Sequence, residues 1–245
     1  MTRPLATMLL ILTNGHLLLF SSQVMSEIPY LCLSMAALWA FEKGDEDHLS
    51  WLIGGLLLAF LAYQARSVGI SLVVTLAALL YFRHRFYAAA LGVTVVVIAM
   101  SLKSSAYTSV LLSVDPYRPE KGILTLWQFA ERIWTNILIY TLAEIPKALY
   151  FPLLDPEWQR VVWALIPFIV VLFTNVLLAY GLWRGLRNCD AWAFYLVAYG
   201  VTILCWPQAW SDKRFLVPVI PLMYWAMVNG AADIYAKIER KWNHG

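Results

Sequence analysis

The sequence predicts an all-α protein, a polytopic bundle of about eight transmembrane helices with a helical segment at the outer membrane interface. Hydrophobic residues make up 61% of the 245 residues and charged residues only 13%, whereas soluble domains are roughly half apolar and about a quarter charged. Aromatic residues reach 15%, with 12 Trp and 13 Tyr, and such rings favour the headgroup level of a bilayer. This composition excludes a disordered chain, which needs low hydrophobicity and high charge.

Apolar runs along the chain are the candidate spans. A helix needs about 20 mostly apolar residues to cross roughly 30 Å of hydrocarbon. The first run is interrupted by the polar stretch Thr13–His16, which predicts a tilted, broken or incomplete helix there. The eight runs are Leu5–Phe20, Ile28–Phe41, Leu49–Ala65, Val68–Phe82, Phe86–Leu102, Val161–Trp183, Ala191–Trp210 and Phe215–Ala236.

These runs divide the chain into three regions. Residues 1–102 contain the first group of spans, residues 103–160 form the only long stretch without one, and residues 161–245 contain the last spans. In the middle region, apolar residues recur at helical spacing, which predicts a helix lying in the membrane interface. The alternative is two further crossings within residues 123–154, which would bury four charged side chains. The recurring apolar residues are Leu126, Phe129, Ile133 and Ile137.

The distribution of Lys and Arg predicts the orientation, because short cytoplasmic loops carry an excess of these residues. With Met1 inside and every run crossing once, nine cations fall on the cytoplasmic side. Both termini are therefore expected in the cytoplasm. The net charge of +3 is small, and no nucleic-acid partner is expected. The nine cations are Arg3, Lys43, Arg83, Arg85, Arg184, Arg187, Lys237, Arg240 and Lys241.

A second group of charges falls at the outer ends of the predicted spans. Glu27 precedes the second span, Arg66 lies between the third and fourth, and Asp212, Lys213 and Arg214 precede the last. Ionisable groups near membrane depth are costly and usually line a polar cavity or an interface. A cluster of cations there can hold a phosphate, and an arginine offers it a bidentate fork. The alternative is that each residue is an ordinary loop charge at a helix end.

Motifs of soluble enzymes and of metal sites are absent from the sequence. There is no GxSxG, no HExxH and no glycine-rich phosphate loop. The four histidines are scattered without metal-ligand spacing, so no metal site is predicted. The three cysteines form neither a CxxC pair nor a disulfide framework.

Three short elements resemble those of the GT-C superfamily of polytopic membrane glycosyltransferases, whose bacterial members include aminoarabinose and protein-mannosyl transferase relatives. Ser26–Tyr30 (SEIPY) resembles the family's SE-P-F/Y element, and Leu61–Gly69 (LAYQARSVG) its LA-LTR--G turn. Asp212–Pro221 (DKRFLVPVIP) resembles its D-RFLLPVLP element. Their order and spacing also match, and together they cover most of the chain.

The resemblance implies a hexosyl or pentosyl transferase that uses a polyprenyl-phosphate-linked sugar at the outer face of the cytoplasmic membrane. An acidic residue would act as base on the acceptor, and cations would stabilise the leaving phosphate. Carried over, Arg66 and Arg214 would lie near the lipid phosphate, while Glu27 and Asp212 would line the outward cavity. The implied partners are membrane lipid and the lipid-linked donor. No cofactor is implied, and a divalent-metal requirement stays open.

The sequence departs from the family pattern at its start. The family has a catalytic Asp in its first outer loop, whereas no Asp or Glu precedes Glu27 in this chain. We therefore expect the chain to be a fragment that corresponds to the C-terminal part of the family pattern. A divergent enzyme with Glu27 as its base, and an inactive relative, are the other interpretations.

Two functions of other classes use the same features. A transporter or lipid-flipping protein would use the charges as a translocation path, although the sequence shows none of the internal symmetry common in transporters. A membrane assembly subunit would need no cavity. A structure distinguishes them, because an enzyme needs an outward polar cavity and a transporter needs a path through the midplane.

Overall fold

The computed structural model describes residues 3–15, 17, 26–44, 49–82, 92–93, 112–150, 165–207 and 213–243. These residues are helical apart from turns and one isolated bridge between Ser113 and Ile123, so the all-α prediction is confirmed for this part of the chain. The α-helices are α1 Arg3–Leu12, α2 Glu27–Lys43, α3 Leu49–Ala65, α4 Ile70–Phe82, α5 Leu126–Ile139, α6 Ile145–Tyr150, α7 Leu165–Arg187, α8 Ala191–Leu204 and α9 Ile220–Asn243. Short 3₁₀ segments occupy Ser67–Gly69, Pro119–Lys121 and Lys213–Val219.

Two stretches of the described chain, Ile169–Arg187 in α7 and Phe215–Trp242 around α9, are long and apolar enough to cross a membrane. The structure therefore supports two candidate spans rather than eight. The reason is length: α2 and α3 have 17 residues each, which at about 1.5 Å per residue gives roughly 25 Å of helix. The predicted run Phe86–Leu102 lies almost entirely outside the described residues.

The first helix ends where its predicted run turns polar. Helix α1 ends at Leu12. The Asn14 side chain, two residues later, then makes three hydrogen bonds, two of them to residues far away in the sequence. Its side-chain amide donates to the Ala148 carbonyl at 2.9 Å and the Tyr224 hydroxyl at 3.0 Å, while its oxygen accepts from the Leu17 N–H at 3.0 Å. The interruption is therefore a broken helix, and the asparagine joins it to the rest of the bundle.

Small residues allow α7 and α9 to approach closely. A Cβ added at Gly181 would overlap the Ala226 carbonyl oxygen, and one at Gly230 would lie 2.9 Å from the Leu177 carbonyl oxygen. The two residues of α9 at these contacts, Ala226 and Gly230, lie four positions apart. This spacing puts them on one helix face, where they let two backbones meet.

Helix α5 has its polar face inside the structure and its apolar face outside. Asn136 is completely buried, and its amide donates to the Leu204 and Trp206 carbonyls at 2.8 and 2.9 Å. It thereby satisfies backbone groups at the end of α8 that no helix can satisfy itself. Trp127 and Trp134 are 79% and 61% exposed on the other side. The helix is amphipathic as predicted, and the need to cap α8 determines which face is buried.

A π turn continues α5 into α6. Residues Tyr140–Glu144 form this wider turn, and Pro146 is the second residue after it. Proline has no backbone N–H and cannot continue the α-helical ladder at its position. A π turn is a common way to absorb such an interruption within a helix.

We predict that Gly181→Ala destabilises the protein by about 1–3 kcal/mol, because the new methyl must push α9 away from α7. The matched control is Gly54→Ala in α3, where a Cβ meets nothing within 4 Å. That substitution should stabilise the protein by up to about 1 kcal/mol through helix propensity. Thermal unfolding of both variants in detergent, followed by circular dichroism, measures the difference. Equal melting temperatures for the two variants would contradict the close packing of these helices.

Candidate functional site

The centre of the candidate site is a buried ion pair between Glu27 and Arg66. The Arg66 Nη1 and Glu27 Oε1 atoms are 2.5 Å apart, with side-chain exposures of 15% and 8%. Nη1 is fully buried and meets the carboxylate without hydrogen-bond alignment, so the contact is chiefly electrostatic. Removing one member of such a pair leaves an uncompensated charge in a poorly solvated place.

Local structure explains why these two side chains meet. Glu27 is the first residue of α2, and Arg66 follows α3 in extended conformation, with φ −152° and ψ 135°. The 3₁₀ turn Ser67–Gly69 then leads into α4. A Cβ at Gly69 would lie 2.6 Å from the backbone nitrogen of Tyr63, so only glycine allows the turn to fold back this tightly.

The element that begins at Lys213 reaches the same place. The Arg66 guanidinium lies over the Phe215 ring, 5.2 Å from its centroid, a distance typical of a cation–π contact. The Tyr199 hydroxyl holds the Phe215 carbonyl at 2.5 Å. The structure therefore brings together parts of all three sequence elements that carry the family resemblance.

Two predicted site residues are not placed. Arg214 precedes Phe215 in the 3₁₀ segment, but its side chain is outside the described part of the structure, and Asp212 lies wholly outside the described residues. Glu27 and Arg66 are brought into contact, while a role for Arg214 and Asp212 at this site stays a prediction.

Three buried tyrosines pack beneath the ion pair, and sequence reasoning missed them. Tyr30, Tyr195 and Tyr199 are each at most 1% exposed. The Tyr30 and Tyr195 hydroxyls are hydrogen-bonded at 2.9 Å, and the rings of Tyr195 and Tyr199 have centroids 5.6 Å apart. The spacing of the tyrosines in the sequence could have revealed them. Tyr30 lies one helical turn after Glu27, and Tyr195 and Tyr199 lie one turn apart on α8.

A polar cleft of about 520 Å³ lies between the segment that precedes α5 and α5 itself. The Arg132 guanidinium fixes this segment by donating to the Ser113 carbonyl at 2.6 Å. Pro207 closes one side of the cleft, and the neighbouring Trp206 packs on Phe215 with ring centroids 6.2 Å apart. The cleft is lined by Val114, Asp115, Pro116, Tyr117, Lys121, Leu124, Gln128, Glu131, Arg132, Thr135 and Pro207.

Charge pairing also shapes the rim of this cleft. Lys121 donates to Asp115 at 3.0 Å, and this bond, together with the Tyr117 N–H, lowers the pKa of the Asp115 carboxyl. Because the pKa of Asp115 is lowered, the contact stabilises the folded segment at pH values above the ordinary pKa of a carboxyl group. That contribution is lost as the pH falls through the pKa of the folded state.

A metal centre is not formed by the part of the chain that the structure describes. No group of three or more His, Cys, Asp or Glu side chains there could hold an ion. Cys32, Cys189 and Cys205 are free thiols.

Comparison with known proteins adds no relative: no family model, curated protein or solved structure matches this chain.

We predict that Arg66→Gln lowers the free energy of unfolding by about 3–5 kcal/mol, because Glu27 is left buried without its counter-charge. The double variant Glu27→Gln/Arg66→Gln should lose less than this single variant, since no charge then stays buried. Lys147→Gln is the control, because the Lys147 side chain is 43% exposed in its pair with Glu144, and pairs that reach solvent contribute less than about 1 kcal/mol. Chemical unfolding of the variants measures all three values. A double variant less stable than Arg66→Gln would show that the pair does not act through buried charge.

Proposed function

We propose that this chain is a membrane glycosyltransferase, or part of one, that transfers a sugar from a polyprenyl-phosphate-linked donor at the outer face of the cytoplasmic membrane. The observation that carries the proposal is the meeting of Glu27, Arg66 and Phe215. They come from three elements separated by long stretches of chain, and each element resembles a different part of one family pattern. If the likeness of these short motifs were due to chance, there would be no reason for the three residues to lie in contact.

In this proposal Arg66 binds the phosphate of the lipid donor. A guanidinium has five N–H donors, so a carboxylate at one edge leaves capacity for a second anion. Glu27 fixes its position through Nη1, and the Phe215 ring supports its face. Such a preorganised cation stabilises the negative charge that grows on the leaving phosphate. Arg214, one residue before Phe215, is the expected second cation.

The proposed reaction is a direct displacement at the anomeric carbon. A hydroxyl of the acceptor forms the new bond, while the bond between that carbon and the phosphate oxygen breaks. The leaving polyprenyl phosphate takes the electron pair, and the acceptor proton passes to a carboxylate. Glu27 and Asp212 are the candidate carboxylates in this chain. The polar cleft beside α5 is a suitable place for sugar hydroxyls, because Gln128, Glu131 and Thr135 line it.

We also infer that the chain crosses the membrane several times with both termini in the cytoplasm. Large apolar side chains are exposed on α7, among them Ile169, Leu172 and Phe173 at 59%, 54% and 61%. Contiguous exposed apolar surface is unusual for a soluble monomer and suits contact with lipid. The helices of about 25 Å would span with the help of polar residues at their ends, by local thinning of the bilayer or by snorkelling of flanking side chains.

Binding of polyprenyl phosphate tests the function without knowledge of the sugar or the acceptor. The purified full chain in detergent should bind polyprenyl phosphate more tightly than the uncharged polyprenol, as measured by native mass spectrometry. Arg66→Ala should remove most of this preference, and Arg66→Lys should restore only part, because charge survives but the fork does not. Equal binding of both lipids by the unmodified chain would refute the proposal.

Turnover is the second arm of this test. With the complete enzyme and its donor, Arg66→Ala or Arg214→Ala should each reduce transfer on the order of 10²–10³-fold. Lys213→Ala, its neighbour in the same element, is the matched control and should retain most activity. If both arginine variants fold and transfer normally while the lysine variant does not, the phosphate contact is assigned to the wrong residues. A transporter would instead move the lipid without releasing sugar.

The orientation is tested by labelling single cysteines from outside intact cells with an impermeant maleimide. In a chain whose three cysteines are replaced by serine, Tyr117→Cys should react, because this position is 69% exposed on the outer segment. Arg187→Cys, at the C-terminal end of α7, is expected on the cytoplasmic side and should react only after permeabilisation. The reverse pattern would invert the topology.

A further inference from the structure

The carbonyl of Phe215 lacks the local donor that its helical segment would normally supply. Phe215 lies in the 3₁₀ segment Lys213–Val219, which contains Pro218. In a 3₁₀ helix a carbonyl accepts from the N–H three residues later, and the third residue after Phe215 is this proline. Because proline has no backbone N–H, a donor from another element can take its place.

Tyr199 of α8 provides that donor. Its hydroxyl donates to the Phe215 carbonyl at 2.5 Å, and the residue is only 1% exposed. The ring packs against those of Tyr195 and Tyr30, with centroids 5.6 and 6.4 Å away. A side chain packed this closely holds its hydroxyl in one place, so the hydrogen bond ties the segment before α9 to the middle of the bundle.

The Phe215 ring in turn contacts the guanidinium of Arg66, which lies 5.2 Å from the ring centroid. The backbone of Phe215 determines where this ring lies, so a shift of its carbonyl would move the ring relative to the guanidinium. Glu27 meets Arg66 at Nη1 alone. The orientation of the guanidinium plane about that contact therefore depends on the aromatic face beside it.

We propose that Tyr199 is a positioning residue for the guanidinium of Arg66 and that it acts through Phe215. The inference rests on the proposed function, in which Arg66 binds the phosphate of the lipid donor. Tyr199 holds the Phe215 backbone where Pro218 offers no N–H, and the Phe215 ring orients the guanidinium so that its N–H fork faces the phosphate. A fork that is oriented in advance loses less binding free energy to ordering.

Tyr199→Phe tests the proposal, because it removes the hydroxyl and keeps the ring. Native mass spectrometry of the full chain in detergent measures the preference for polyprenyl phosphate over polyprenol. This preference should fall about twofold to tenfold, the range that corresponds to one net hydrogen bond. The matched control is Tyr195→Phe, which removes an equally buried hydroxyl that bonds Tyr30 instead and should retain the preference. A full preference in Tyr199→Phe, or an equal loss in Tyr195→Phe, overturns the proposal.

Pro218→Ala tests whether Tyr199 acts through the Phe215 carbonyl. Alanine gives position 218 a backbone N–H, which can donate to this carbonyl within the 3₁₀ segment itself. The Tyr199 hydroxyl then has a local substitute, so adding Tyr199→Phe in this background should lower the preference less than about twofold. An equal loss in both backgrounds overturns the proposal, since the hydroxyl then acts by another route.

A third variant keeps the proposal testable if Tyr199→Phe does not fold, as judged by circular dichroism. Phe215→Leu retains the carbonyl that Tyr199 bonds and removes the ring beside Arg66, so the preference should fall, and its full retention overturns the proposal. Equal binding of both lipids by the unmodified chain refutes the proposed function and this inference with it. A preference that Arg66→Ala removes and Tyr199→Phe keeps refutes the role of Tyr199 alone.

Discussion

The buried contact between Glu27 and Arg66 is the constraint on which the arrangement of the bundle depends. Two opposite charges held 2.5 Å apart with little exposure cannot separate without leaving a charge poorly solvated. The contact therefore fixes the start of α2 against the turn that follows α3, and the Phe215 ring adds the segment before α9. Tyr30, Tyr195 and Tyr199 pack beneath it and are almost fully buried, so the position of Arg66 is set from several directions.

The sequence predicted the positions of the helices well, but it predicted the number of membrane spans less well. Apolar runs mark helices because the same side chains that favour burial also favour lipid, and α3, α4, α7 and α8 lie within or close to predicted runs. Run length does not reveal where a helix ends, since Thr13 and Asn14 stop α1 early. Hydropathy alone therefore predicted eight spans, whereas two stretches have the required length within the residues that the structure describes.

The candidate site was predictable in part and for a definite reason. Glu27 and Arg66 stand out in sequence because a charge beside an apolar run needs a partner. Their mutual contact follows from the turn at Gly69, which one-dimensional patterns do not describe. The inward polar face of α5 was not predictable, because Asn136 is buried to satisfy carbonyls of a helix 68 residues later in the chain. Such long-range pairing leaves no periodic trace.

The π turn at Tyr140–Glu144 determines which side of the helix each residue of α6 faces. An extra residue in a turn delays the helix by about 100°, so two segments of one continuous helix present different sides to the bundle. Without this rotation, Leu149 would lie on the same exposed face of the helix as Trp134 and Leu138. With it, Leu149 is 4% exposed, and its carbonyl accepts from the Tyr224 hydroxyl at 2.5 Å. One helix thus serves as an outward-facing apolar surface over its first half and as a core element over its second.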